Sequence, residues 1–160
     1  MSEQLSHLDA QGRAQMVNVS GKPAVRRRAV AEVRFHATAS TIDRIMQGDL
    51  PKGEALAVAR IAGVMAAKRT DDLIPLCHSL PLDGVEVQFE RGAEDHIRIE
   101  ACAEVTARTG VEMEALAAVT VAALTLWDMT KAVDQNLHIE GVRLLAKEKG
   151  VPDEGSAAVS

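Results

Sequence analysis

Asp128 and Lys131 stand three residues apart near the end of a long apolar run, a spacing that puts both on one helix face. A carboxylate beside an ammonium can donate and accept protons, and each group shifts the proton affinity of the other. The same run opens on two further acids, Glu112 and Glu114. Charges carried into a buried helix are expected to be paired or put to use. A structural ion pair would meet that expectation as well as a catalytic one. Glu114 and Asp128 are fourteen residues apart, nearly in phase, yet about 21 Å apart along a helix axis. One copy of the helix cannot bring both to one small substrate. A site that uses both must be shared between antiparallel partners.

The second dense patch runs from Asp72 to His78 and holds Leu76, Cys77 and His78. Histidine is the side chain whose charge changes near neutral pH, and loops are where functional groups concentrate. A histidine that only hydrogen-bonds its own loop is the alternative. Cys77 reads first as a small buried thiol and second as a nucleophile. Cations cluster too: Lys22 with Arg26, Arg27 and Arg28; Arg60 with Lys68 and Arg69; and Lys131, Arg143, Lys147 and Lys149 late in the chain. Brought together they would form a local anion site; left apart they are solvated surface charge.

These groups need elements to hold them. Residues 15–20 alternate in part and predict a short strand, and residues 25–37 predict another. Ile42, Ile45 and Met46 make one face of a helix over 38–47 that Gly48 stops. An alanine-rich helix follows over 54–68. Residues 70–81, with two prolines, read as an ordered loop. Strands are expected over 85–90 and 96–108, where Ile97, Ile99, Ala101, Ala103 and Val105 alternate with polar neighbours. A long helix over 111–134 and a last strand over 137–146 complete the domain. Flexible tails are expected at 1–12 and 150–160, flanking one catalytic domain at 13–149. Helices against a mainly antiparallel sheet make an α+β two-layer domain of ferredoxin-like arrangement. The long helix is apolar around most of its circumference, so its second side is expected to be covered by another subunit.

Composition narrows the function. The 160 residues suit one domain, and the 47% hydrophobic share argues against disorder. The aromatics are Phe35, Phe89 and Trp127, too few for a nucleic-acid stacking platform, and the net charge of −5 gives nucleic acid no support. Cys77 and Cys102 lack the spacing of a disulfide framework or a cysteine zinc site. No carboxylate cluster dedicated to a metal is apparent, so none is expected. The N-terminus has no signal-peptide pattern, and the run 115–127 is too short and too threonine-dotted for a bilayer, which predicts a cytoplasmic protein without membrane contact.

Seven pieces in order carry a resemblance: 16–20 (MVNVS), 52–54 (KGE), 59–63 (ARIAG), 66–70 (AAKRT), 73–78 (LIPLCH), 109–116 (TGVEMEAL) and 128–132 (DMTKA). With these the chain resembles the cyclic pyranopterin monophosphate synthases, the C proteins of molybdenum cofactor biosynthesis, over about residues 5–149. Several motifs in order are far more specific than any one of them. The resemblance implies a lyase that takes 3′,8-cyclo-7,8-dihydro-GTP, rearranges the purine to a pyranopterin, closes a cyclic phosphate and releases diphosphate. It implies a ferredoxin-like fold and a homo-hexamer, a trimer of dimers with active sites between subunits. It implies no cofactor. Residue by residue, it makes Asp128 the acid/base and Lys131 its partner, with Lys52 and His78 also catalytic. Leu76, Cys77, His78, Glu112, Met113, Glu114 and Lys147 become substrate-binding positions. The chain departs from the family at Ser79 (usually Pro), Trp127 (usually Tyr), Ala118 (usually Thr) and Thr130 (usually Cys). It also departs at 147–152, where relatives are glycine-rich. The competing class is a non-enzymatic ligand sensor, which would not need an acid–lysine pair together with a loop histidine. A different nucleotide-processing lyase or cyclase is the other enzyme reading.

Overall fold

The computed structural model describes residues 7–93 and 95–150. In chain order the elements are β1 (Val25–His36), α1 (Ala39–Gln47), α2 (Ala55–Lys68), α3 (Thr70–Leu73), β2 (Gly84–Arg91), β3 (His96–Ala107), α4 (Glu112–Thr130) and β4 (His138–Lys149). The strands form one sheet in the order β2-β3-β1-β4, with every pairing antiparallel. A β-α-β-β-α-β chain with this order is the ferredoxin-like arrangement, so the expected two-layer α+β domain is what the chain forms.

Strand alternation divides the sheet into two faces. Ala29, Ala31, Val33 and Phe35 of β1 and Ile97, Ile99, Ala101, Ala103 and Val105 of β3 point into the core beneath α4. The opposite face carries charge. Glu32, 3% exposed, takes Arg98 of β3 at 2.5 Å and Arg143 of β4 at 2.6 Å, tying three strands through one carboxylate.

Few large side chains fill this core, so helices must approach closely. A Cβ on Gly63 of α2 would lie 3.0 Å from the Ala118 carbonyl oxygen of α4 and 3.1 Å from Cγ2 of Val87. A methyl group there would have to push the Ala118 backbone carbonyl or the Val87 side chain away by a few tenths of an ångström. Helix α2 therefore covers much of the second side of α4, the side the sequence assigned to another subunit. Leu124 and Trp127 of α4 stay exposed, as do Val58, Ile61 and Met65 of α2. By length and apolar composition α4 could cross a membrane, counter to the sequence reading of a run too short for it. Its Ala115, Ala118, Val119, Ala122, Ala123 and Leu126 are core residues of the domain.

Several boundaries differ from expectation. Residues 15–20 form no strand; this region has one isolated bridge, between Leu8 and Ala14. Of the N-terminal tail, residues 7–12 make a turn in which the Asp9 carboxylate accepts the backbone N–H groups of Gln11 and Arg13. Residues 1–6 and 151–160, the remaining tail positions, lie outside the described residues. The loop at 70–81 begins with the helical turn α3. Met46 is 38% exposed rather than buried with Ile42 and Ile45. Gly48 does end α1: at φ 71° its N–H reaches the carbonyls of Arg44 and Ile45. Helix α4 stops at Thr130, not 134, because Asp134 is drawn away. Its carboxylate accepts the N–H and hydroxyl of Thr38, capping the start of α1 from across the chain.

Candidate active site

Helix α4 holds one charged group at each end. At its C-terminal end Lys131 Nζ lies 2.7 Å from Asp128 Oδ1. Lys52, on the turn before α2, donates from Nζ to Asp128 Oδ2 at 3.2 Å and to the Asp128 carbonyl at 3.0 Å. One carboxylate is thus bracketed by two ammonium groups. The hydrogen bond from Lys131, then that from Lys52, holds the Asp128 carboxyl below the usual carboxylate range. The trio is not enclosed within the chain: Asp128 and Lys131 side chains are each 58% exposed. The sequence expectation of a charge pair inside the protein is corrected in that respect. The pair sits where α4 runs out, and water reaches it.

The N-terminal end of α4 is different. Glu114 is 3% exposed, and burial pushes its carboxyl above the usual range. The Cys77 thiol donates to Glu114 Oε1 at 3.8 Å. Burial, then the neighbouring Glu114 charge, raises the thiol itself to about 11. Lys147 on β4 pairs with Glu112 at 2.5 Å. Burial opposes ionisation of Glu112, but the Lys147 hydrogen bond and charge outweigh it and hold the carboxyl low. A cleft of about 270 Å³ opens here, and its walls include Leu76, Cys77, His78, Glu112, Met113 and Glu114. The ring of His78 is held by Nε2 at 2.7 Å from the Val17 carbonyl. So 15–20, expected to be a strand, serves as an extended strap over the loop histidine.

The chain therefore gathers the candidate residues into two groups. Leu76, Cys77, His78, Glu112, Met113, Glu114 and Lys147 meet at one end of α4, and Lys52, Asp128 and Lys131 meet at the other. The helix between them spans 19 residues, so the two groups face different regions of one chain. The cleft also has walls that sequence reasoning did not select: His7, Ile74, Leu80, Thr109 and Gly110. Thr109 and Gly110 lie inside the 109–116 motif and could have been found there; His7 carries no local signal. The Arg60, Lys68 and Arg69 cluster does not reach either group. Arg60 donates to the Val87 carbonyl and lies over the Phe89 ring at 5.4 Å. Lys68 and Arg69 line separate hollows beside α2.

A family profile described as the MoaC family matches residues 16–150. The chain belongs to the MoaC family. It is 53% identical over 149 residues to a cyclic pyranopterin monophosphate synthase of Chloroflexus aggregans, covering 92% of this chain and 90% of that protein. A protein of the same name from Corynebacterium efficiens is 54% identical over 150 residues, covering 94% of this chain and 96% of its own. One from Pelotomaculum thermopropionicum is 53% identical over 147 residues, covering 91% and 86%. The MoaC match begins at residue 16, inside the strap over His78, and ends at residue 150, just after β4. Both charged groups of α4 lie within it.

Proposed function

We propose that this chain is a cyclic pyranopterin monophosphate synthase of molybdenum cofactor biosynthesis. It acts on a small nucleotide, 3′,8-cyclo-7,8-dihydro-GTP, and releases diphosphate as the cyclic phosphate closes. The supporting observation is the Lys52–Asp128–Lys131 trio, a carboxylate with an ammonium on each oxygen.

Opening the imidazole ring requires protons to move on and off ring nitrogens. A carboxylate kept ionised between two lysines can accept one proton while an adjacent ammonium delivers another. Closing a cyclic phosphate and expelling diphosphate builds negative charge on phosphate oxygens, which cations stabilise. Lys52 serves at one end of α4 and Lys147 at the other. The buried Glu114 and the paired Glu112 suit the donor edge of the guanine-derived ring, which offers N–H groups to a carboxylate. His78, strapped by the backbone at Val17, closes the base-binding side.

The two ends of α4 cannot meet in one chain, so we assign the working site to an interface, in a homo-hexamer built as a trimer of dimers. The exposed apolar side chains of Met65 and Leu73, which line one hollow with Ala62 and Val121, support an assembly, because contiguous apolar surface marks sites where another protein docks. Burial of the trio in that interface would strengthen each of its charge interactions. The test is incubation with the cyclised nucleotide and assay for diphosphate. Asp128→Asn should abolish turnover, by at least about a thousandfold, while substrate still binds. Full activity in that variant would overturn the assignment of Asp128.

A further inference from the structure

At the far face of the sheet, three strands end in histidines. His36 closes β1, His96 opens β3 and His138 opens β4, and the register sets both partners directly opposite His36. The rings of His36 and His138 stack with centroids 4.2 Å apart; those of His36 and His96 are 5.0 Å apart. None of these residues belongs to the α4 groups described above.

The hydrogen bonds around His36 define its chemistry. Nε2 lies 2.9 Å from Glu140 Oε1. An ionised carboxylate only accepts, so Nε2 carries the proton and donates. In the neutral ring the lone pair then sits on Nδ1. That atom is buried and, among the described residues, has no hydrogen-bond partner. It points toward Asp95, whose Oδ2 is 3.8 Å away, too far for a hydrogen bond. His96 Nδ1 lies 3.4 Å from the other oxygen of Asp95. Ligand atoms of His36, Asp95 and His96 all lie within 4.8 Å of one another. Donors tetrahedral about one ion at ~2.1 Å would be about 3.4 Å apart, a gap that small side-chain rotations close. The His96 ring rests against Gly92, where any Cβ would strike it, so the backbone leaves room for this rotamer.

We propose that His36 Nδ1, His96 and Asp95 form a site for one first-row divalent metal ion, with Glu140 as the outer carboxylate that orients His36. Two imidazoles and one carboxylate suit zinc or cobalt, with water completing the shell. A metal-bound histidine characteristically donates its other N–H to a carboxylate, as His36 does here to Glu140. The site would pin the ends of β1 and β3. His138 stacks on the ligand without serving as one. This inference is independent of the lyase reading, since no member of the trio or the cleft takes part.

The test uses the untagged full chain, titrated with Co²⁺ and followed by visible absorption, then by competition with Zn²⁺. The wild-type chain should take up one ion with the absorption of a low-coordinate cobalt centre. His36→Gln, His96→Gln and Asp95→Asn should each lose that band. Glu140→Gln should weaken binding about 10–100-fold, and His138→Gln should bind as wild type. Circular dichroism checks folding, and the exposed Asp95 makes its variant the one least dependent on packing. Absence of stoichiometric uptake would overturn the proposal. So would loss of binding in His138→Gln with Asp95→Asn unaffected, since that pattern assigns the ion to His36, His138 and Glu140 instead.

Discussion

Each end of α4 tunes its side chains by a different means. Asp128 is exposed and set by charge: two ammonium groups favour the carboxylate over its protonated form. Glu114 and Cys77 are set by burial, which disfavours both of their anions. With its thiol near 11, Cys77 is thiolate at pH 7.5 in roughly one part in a few thousand, against about a tenth for a free cysteine. It is therefore a hydrogen-bond donor to Glu114 and not a nucleophile. Iodoacetamide at pH 7.5 should modify Cys77 at least about a hundredfold more slowly in the folded chain than in urea, read by mass spectrometry of the peptide. Equal rates would return Cys77 to the list of nucleophiles. The Asp128–Lys131 spacing was legible in the sequence because three residues is a helical neighbour distance. That Lys52 joins them was legible only through the family resemblance, since 76 residues separate it from Asp128.

Among the elements, the sheet is held on its polar face by Glu32. Burial works against its ionisation, but hydrogen bonds from Arg143 and Arg98 prevail and keep the carboxyl below its ordinary range. A carboxyl lowered on folding stabilises the fold above its unfolded value of about 4.3, and that contribution is lost as pH falls through the folded value. Glu32→Gln should cost about 1–3 kcal/mol at pH 7, by leaving two guanidinium groups face to face. The gap between variant and wild type in urea unfolding should narrow below about pH 4. A gap that persists in acid would mean the carboxylate charge is not what ties the strands. Strand β3 was plain in the sequence because its alternation runs unbroken from Ile97 to Val105. The end of α4 was not, because Asp134 stops it by capping Thr38, 96 residues away. The N-terminal strap was misread for a similar reason. Its alternation suggested a strand, but it pairs with none of the described strands, and the Val17 carbonyl goes to His78 instead. The histidine cluster left no local signature, since His36, His96 and His138 come from three strands and meet only through register.

At the scale of the molecule, one chain carries two groups of candidate residues, one at each end of a single helix. Glu112, Glu114, Cys77 and His78 line a cleft, with Lys147 paired to Glu112, while Lys52, Asp128 and Lys131 meet at the other end. The fold explains why they stay apart: α4 runs for 19 residues between them and packs between the sheet and α2, which approaches it closely at Gly63. On the proposed reading, completion comes from a second copy whose α4 runs the opposite way. An isologous interface would then form two sites at once, each taking one end of α4 from each partner. Mixing two impaired variants, Asp128→Asn and Glu114→Gln, tests this most directly. Refolded together in equal amounts, random pairing should restore roughly a quarter of wild-type diphosphate release, because half the dimers would hold one fully intact site of two. Activity no higher than that of the two variants alone would contradict the shared site.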